Sequence, residues 1–232
     1  MTKDYTRDYW EDMLSALKPE GRHFIDGELS PSSSGETFTR RRPMDGKPGA
    51  RLARGNAADI DRAVAAARAS FESGIWRKKD PIEKKRIMLN WAQAIRDHGD
   101  ELALLETLEV GKPVMASLNV DVRLCADGIQ FYGEMIDKLY DEVAPTPPGE
   151  RAIVRKVPIG VIGAITPWNY PMIIDAWKLG PAIAAGNSVV LKPAEQSSLS
   201  AIRLAQLGFE AGLPAGVLNV ATGYGEETGK PL

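Results

Sequence analysis

Apolar positions recur at helical spacing through most of the first 140 residues. Tyr9, Met13, Leu14 and Leu17 predict a helix over 3–18, broken by Pro19-Glu20-Gly21. Phe24 to Glu28 then predicts a strand with a turn, and Ser30 to Gly35 a polar loop. Thr37-Phe38-Thr39 with Arg40, Arg41 and Arg42 predicts the returning strand of a small hairpin, stopped by Pro43 and Gly46. Asn56 followed by Asp59 has the form of a capping box ahead of Ile60, Val64, Ala67 and Phe71. Asp80-Pro81 opens the next helix, whose Ile87, Met88, Trp91 and Ile95 point inward until His98-Gly99. A third helix carries Leu102, Leu105 and Leu108 to a stop at Gly111-Lys112-Pro113. A fourth is predicted from Val114 to Tyr140, burying Leu118, Val122, Cys125, Ile129, Tyr132, Ile136 and Leu139.

After Pro145-Thr-Pro-Pro-Gly149 the period changes. Arg151 to Val157 predicts a strand exposed on at least one side. Ile159 to Thr166 is continuously apolar, the mark of a strand covered on both faces. A helix from Pro171 to Gly186, a strand Asn187 to Lys192, a helix Ser197 to Gly212 and a strand Val217 to Ala221 follow. The expected fold class is α/β: the first half of a Rossmann-like parallel sheet, preceded by a helical region and a small β-hairpin, and incomplete at its C-terminus. The expected division is 1–143 (helical region with hairpin), 144–158 (linker and strand of an arm) and 159–232 (half of the Rossmann-like domain).

Composition removes several function classes. The 232 residues hold 29 Lys+Arg against 31 Asp+Glu, a net charge of −2 that argues against a nucleic-acid partner. One cysteine, Cys125, and two histidines, His23 and His98, exclude an intrachain disulfide and a Cys/His zinc cluster. No apolar run approaches the ~20 residues of a membrane span, and the acidic, mixed start is no secretory signal. The expectation is a reduced, cytoplasmic protein with no membrane partner. Cys125 falls on an apolar helical stripe, where a thiol is a core residue and not a nucleophile. His98 reads as a helix cap and His23 lacks an orienting partner in sequence. The arginine triplet reads as a solvated strand edge.

Ligands of an open parallel sheet bind beyond the carboxyl ends of its strands. Three loops leave that edge: Thr166 to Pro171, Lys192 to Glu195, and Gly223 to Gly225. Asn169 either caps the following helix or donates its amide N–H to a developing oxyanion. Lys192 either snorkels from the sheet or, with Glu195, holds a ribose. Gly223, Gly225 and Gly229 form a GxGxxxG pattern, which serves either a plain turn or the close approach of a pyrophosphate. Together the loops favour a nucleotide site.

Thr166-Pro-Trp-Asn-Tyr-Pro171, Trp177-Lys-Leu-Gly-Pro-Ala182, Ala185-Gly-Asn-Ser-Val-Val-Leu-Lys-Pro-Ala-Glu195, Gly212-Leu-Pro-Ala-Gly-Val-Leu-Asn219 and Leu105-Glu-Thr-Leu-Glu-Val-Gly-Lys-Pro113 resemble the aldehyde dehydrogenase superfamily. The resemblance runs from about Phe24 onward. Its tract from Trp177 to Ala205 is most similar to γ-glutamyl-γ-aminobutyraldehyde dehydrogenases. It implies oxidation of an aldehyde substrate to a carboxylic acid through a cysteine thiohemiacetal, with hydride passing to NAD(P)+. It implies that Asn169 binds the oxyanion and that Lys192 and Glu195 hold the adenosine ribose. Ile165, Thr166, Pro167 and Trp168 would line the coenzyme cleft, and Gly225 and Gly229 would form the turn near the adenine. A carboxylate on the ribose hydroxyls favours NAD over NADP. Full-length relatives are homo-oligomers, and Arg151 to Val157 resembles part of their arm. The family's nucleophilic cysteine and general-base glutamate have no counterpart here, so the chain alone is expected to be inactive, with its last strand left as a bare edge. The alternative is a non-catalytic nucleotide-binding or interaction module.

Overall fold

The structure, a computed structural model, describes residues 3–232. Helix α1 (Arg7–Ala16) is capped by Thr6, whose Oγ1 accepts the Tyr9 N–H at 3.2 Å. It is shorter than predicted and buries no residue, so its apolar positions rest on the surface and do not enter the core.

Strands β1 (His23–Ile25) and β2 (Glu28–Ser30) form a hairpin joined by Asp26-Gly27, both at positive φ (55° and 79°). That pair matches the right-handed twist of the strands in a two-residue turn, so the return strand comes at once. The predicted partner, β3 (Thr37–Arg41), instead pairs with β4 (Pro48–Ala53) in a separate two-stranded sheet.

Helix α2 (Ala57–Ser73) starts at a reciprocal capping box between Asn56 and Asp59. Helix α3 (Pro81–Asp97) starts at Asp80, whose Oδ1 accepts the Ile82 N–H at 2.8 Å. Helix α4 (Gly99–Val110) ends at Gly111, which takes the left-handed φ of 76°. The long fourth helix is composite. A short α5 (Val114–Ala116) passes into a π-helical stretch Ser117–Val122 and then α6 (Arg123–Met135). It stops five residues before the predicted end, and Leu139 and Tyr140 lie exposed in the segment that follows. Strands β5 (Glu142–Ala144) and β6 (Ala152–Val154) form an isolated antiparallel ribbon, exposed along nearly its whole length.

The main sheet takes up β7 (Val161–Ile165), β8 (Ser188–Lys192) and β9 (Leu218–Val220), connected through α7 (Pro171–Ala184) and α8 (Leu199–Glu210). Its order is β2-β1-β9-β8-β7, with β7, β8 and β9 parallel and β1 antiparallel to β9. Helices α7 and α8 cover one face and α3 and α6 pack on their outer side, where Trp91 of α3 donates its indole N–H to Leu204 O at 3.0 Å; Trp76 donates to Ile183 O at 2.8 Å. Ala63 and Ala67 of α2 pack on Val190 and Ile25 from the other face.

Two further expectations do not hold. The run from Ile159 to Thr166 is not covered on both faces: Ile159 is 86% exposed and Ile165 is exposed at the strand's end. Only β8 and β9 are buried throughout among the parallel strands. The last strand is also not the bare one, because β1 pairs with β9. Among the described residues the unpaired edge on the parallel side belongs to its first strand, β7.

Candidate nucleotide and oxyanion site

Register sets the site. Ile165 lies opposite Lys192 and Leu191 opposite Val220, so the three strands end level, each ~4.8 Å from its neighbour. The Thr166 N–H donates to Lys192 O at 3.2 Å and the Ala221 N–H to Leu191 O at 3.0 Å, which extends the pairing into the loops.

Lys192 is the last residue of β8 and only 3% exposed. Its Nζ stands 3.6 Å from Glu195 Oε2, an ion pair beyond hydrogen-bond reach. Burial lowers its pKa from the ordinary lysine value, and Glu195 acts against that loss. A Cβ built on Gly229 would lie 4.0 Å from Lys192 Cδ, so the third loop comes up to the stem of this side chain.

The third loop is held rigidly. Gly223 has φ 146°, and a Cβ there would fall 2.5 Å from Thr228 Oγ1, so glycine is required. The π-helical turn Gly225–Gly229 follows, with Arg54 bidentate on Glu227. A Cβ added at Gly225 would meet no atom within 4 Å, so the backbone there is open to a ligand.

In the first loop Thr166 is buried, whereas Ile165, Trp168, Asn169 and Tyr170 are exposed and Pro167 lies at the surface. Asn169 does not cap α7: the capping position is Tyr170, without a side-chain bond, and Pro171 occupies the first turn. The Asn169 amide shares the edge with Lys192 and Glu195 and is open to solvent. The candidates thus share one rim, where Lys192 pairs with Glu195 and Gly229 lies beside the Lys192 stem.

Several residues at this rim were not read from the sequence. Lys112 Nζ sits 4.4 Å from the centre of the Tyr170 ring. It also pairs with Asp121 at 2.6 Å and Glu106 at 3.1 Å, both buried. Burial, then Asp121, pushes Glu106 up to about 7, while Lys112 opposes this. Glu109 caps α8 from outside, accepting the Ser198 and Leu199 N–H groups at 2.8 and 2.9 Å. The available signal was the charged Glu106 and Asp121 beside Leu105 and Val122 on inward helix faces.

Cys125 is buried, and burial with nearby Asp175, Glu106 and Asp121 raises its pKa well above the ordinary range, so it is held as a thiol. His23 does have partners: its Nδ1 accepts the Thr222 N–H at 3.1 Å, and Nε2 lies 3.5 Å from Asp59. His98 Nδ1 lies 3.0 Å from Ala94 O at the end of α3.

Comparison with known proteins places these features in a wider setting. Residues 30–232 match the aldehyde dehydrogenase family. The chain is 51% identical over 224 residues to the NADP/NAD-dependent aldehyde dehydrogenase PuuC of Escherichia coli K12, covering 97% of this chain and 45% of that protein. Among solved structures, P. syringae AldA indole-3-acetaldehyde dehydrogenase in complex with NAD+ and IAA superposes with a TM-score of 0.97 at 51% identity, covering 99% and 46% of the two chains. The γ-glutamyl-γ-aminobutyraldehyde dehydrogenase of Burkholderia cenocepacia J2315 gives 0.94 at 48% identity, covering 96% and 45%. The chain spans about half the length of the relatives it matches.

Proposed function

The chain belongs to the aldehyde dehydrogenase family, and from that premise we propose that it forms the NAD(P)+-binding part of an enzyme that oxidises an aldehyde to a carboxylic acid. The observation that carries this is the buried Lys192 ammonium, which faces Glu195 across 3.6 Å at the carboxyl edge of a parallel sheet. A charge buried at that depth needs hydrogen-bond partners. The hydroxyls of a ribose would accept from its N–H groups and donate to Glu195, and the open backbone at Gly225, with Gly229 beside the Lys192 stem, admits the adenosine next to them. A 2′-phosphate would meet the Glu195 carboxylate, which favours NAD over NADP. Ile165, Thr166, Pro167 and Trp168 form the adjoining wall.

NAD(P)+ supplies a hydride acceptor when bound. Asn169, free of the helix cap, is the group on this chain that donates to the oxygen of the reacting carbonyl as its charge develops. Cys125 is not the nucleophile. The thiolate and the general base come from residues outside these 232, and the chain by itself does not turn over aldehydes. The proposal extends to a cytoplasmic homo-oligomer that uses the β5–β6 ribbon, and to a division of the chain at 143 and 158, the first boundary of which falls within β5.

Calorimetric titration of the chain with NAD+ and NADP+ tests this. NAD+ is expected to bind more tightly than NADP+, and Lys192→Ala and Glu195→Gln to weaken NAD+ by about tenfold each, the effect of one charge-assisted hydrogen bond. Binding that ignores both substitutions refutes the assignment, as would NAD+-dependent aldehyde oxidation by the chain alone for the inactivity.

A further inference from the structure

The contacts around Lys112 have a consequence for the Asn169 loop. Lys112 follows the left-handed Gly111 at the end of α4, between Gly111 and Pro113, so its backbone is confined. Its ammonium is gripped from within by Asp121 on the π-helical stretch and Glu106 on α4. Both carboxylates are buried, which fixes the position of the charge. The remaining side of the ammonium faces the Tyr170 ring at 4.4 Å, within cation–π range. Tyr170 is the residue after Asn169, and its carbonyl accepts the Ile174 N–H at 3.0 Å as a first bond of α7. Neither Asn169 nor Tyr170 is held by a side-chain cap.

We infer that Lys112, anchored between Glu106 and Asp121, is a positioning residue that holds Tyr170 and so sets the place of the Asn169 amide. The inference rests on the oxyanion role proposed for Asn169, but the contact itself is measurable without coenzyme or substrate. The anchor is fixed because both carboxylates are buried, and the ring is the partner that remains exposed to solvent. The contact fastens a loop that has no side-chain cap in its first turn to the interior of the helical layer.

NMR of the intact chain tests this through the ε-methylene protons of Lys112, which a ring current shifts upfield when they lie over an aromatic face. The shift is expected in the parent chain and in Tyr170→Phe, and lost in Tyr170→Leu. Hydrogen exchange at the Ile174 amide should rise about fivefold in Tyr170→Leu and stay at the parent rate in Tyr170→Phe, the factor that ~1 kcal/mol of contact represents. Lys112→Met should raise it as well. Because that variant leaves two buried carboxylates unpaired and is at risk of unfolding, the exposed Tyr170 pair carries the decision. An unshifted Lys112 signal in the parent, or equal Ile174 exchange in Tyr170→Leu and Tyr170→Phe, overturns the inference. Neither outcome bears on the NAD+ titration, so the two readings fail separately.

Discussion

His23 shows how one neutral ring can secure a distant loop. Its Nδ1 accepts the Thr222 N–H, so that nitrogen carries no proton, and Thr222 leads directly into Gly223. Thr222 Oγ1 is meanwhile committed to Ala53 O at 2.7 Å. Burial lowers the His23 pKa below the ordinary histidine value; Asp59 opposes this and Arg62 adds to it. Burial would raise Asp59, but the Ser33 N–H, the Ser32 hydroxyl and the Asn56 N–H hold it below the usual carboxylate range. The folded chain therefore keeps His23 neutral where the unfolded chain already takes up a proton. Stability from this group is present above pH ~6.5 and lost as pH falls, by up to ~1.4 kcal/mol per unit. Urea midpoints measured from pH 7.5 to 5 should fall more steeply for the parent than for His23→Gln, whose side chain accepts the same N–H and does not titrate. Parallel curves would show that the ring contributes nothing to the pH response.

At the scale of elements, local chemistry decided what was readable. The start of α2 was legible because its capping box involves only residues 56 and 59, and Asn56→Ala should cost about 1 kcal/mol in a denaturation curve. The inner face of α3 was legible from its period, and Trp91→Ala should cost roughly 3–5 kcal/mol, since the fully buried indole also bonds Leu204 O. A loss of less than about 1 kcal/mol for Trp91→Ala would contradict its place in the core. The hairpin partner of β1 was misread because a basic strand at 37–41 competed with the shorter return through Asp26-Gly27. The π-helical stretch was hidden because Ser117 and Asp121 are buried polar residues that lie off the apolar stripe. The rim loops were readable from the strand–helix alternation and their motifs. The grip on Tyr170 was not, because a lysine after Gly111 carries no periodic signal of pointing inward.

The molecule as a whole has two surfaces that its own core does not use. The β7 edge is unpaired among the described residues, and the β5–β6 ribbon holds Val143 and Ile153 at 73% and 63% exposure. If the ribbon joins copies of the chain, Val143→Lys with Ile153→Lys should lower the sedimentation mass without moving the melting temperature, because neither side chain packs on the core. An unchanged mass would remove the ribbon from the interface. The pairing of β1 with β9 has a different kind of consequence. Asp26, just after β1, donates its N–H to Asn219 at a separation of 193 residues. At a ribosome adding ~5–20 residues per second, the hairpin emerges roughly 10–40 s before its partner strand exists. Throughout that interval the flank of β1 opposite β2 is an unclaimed template, which the hairpin turn does not shield from pairing with a stranger.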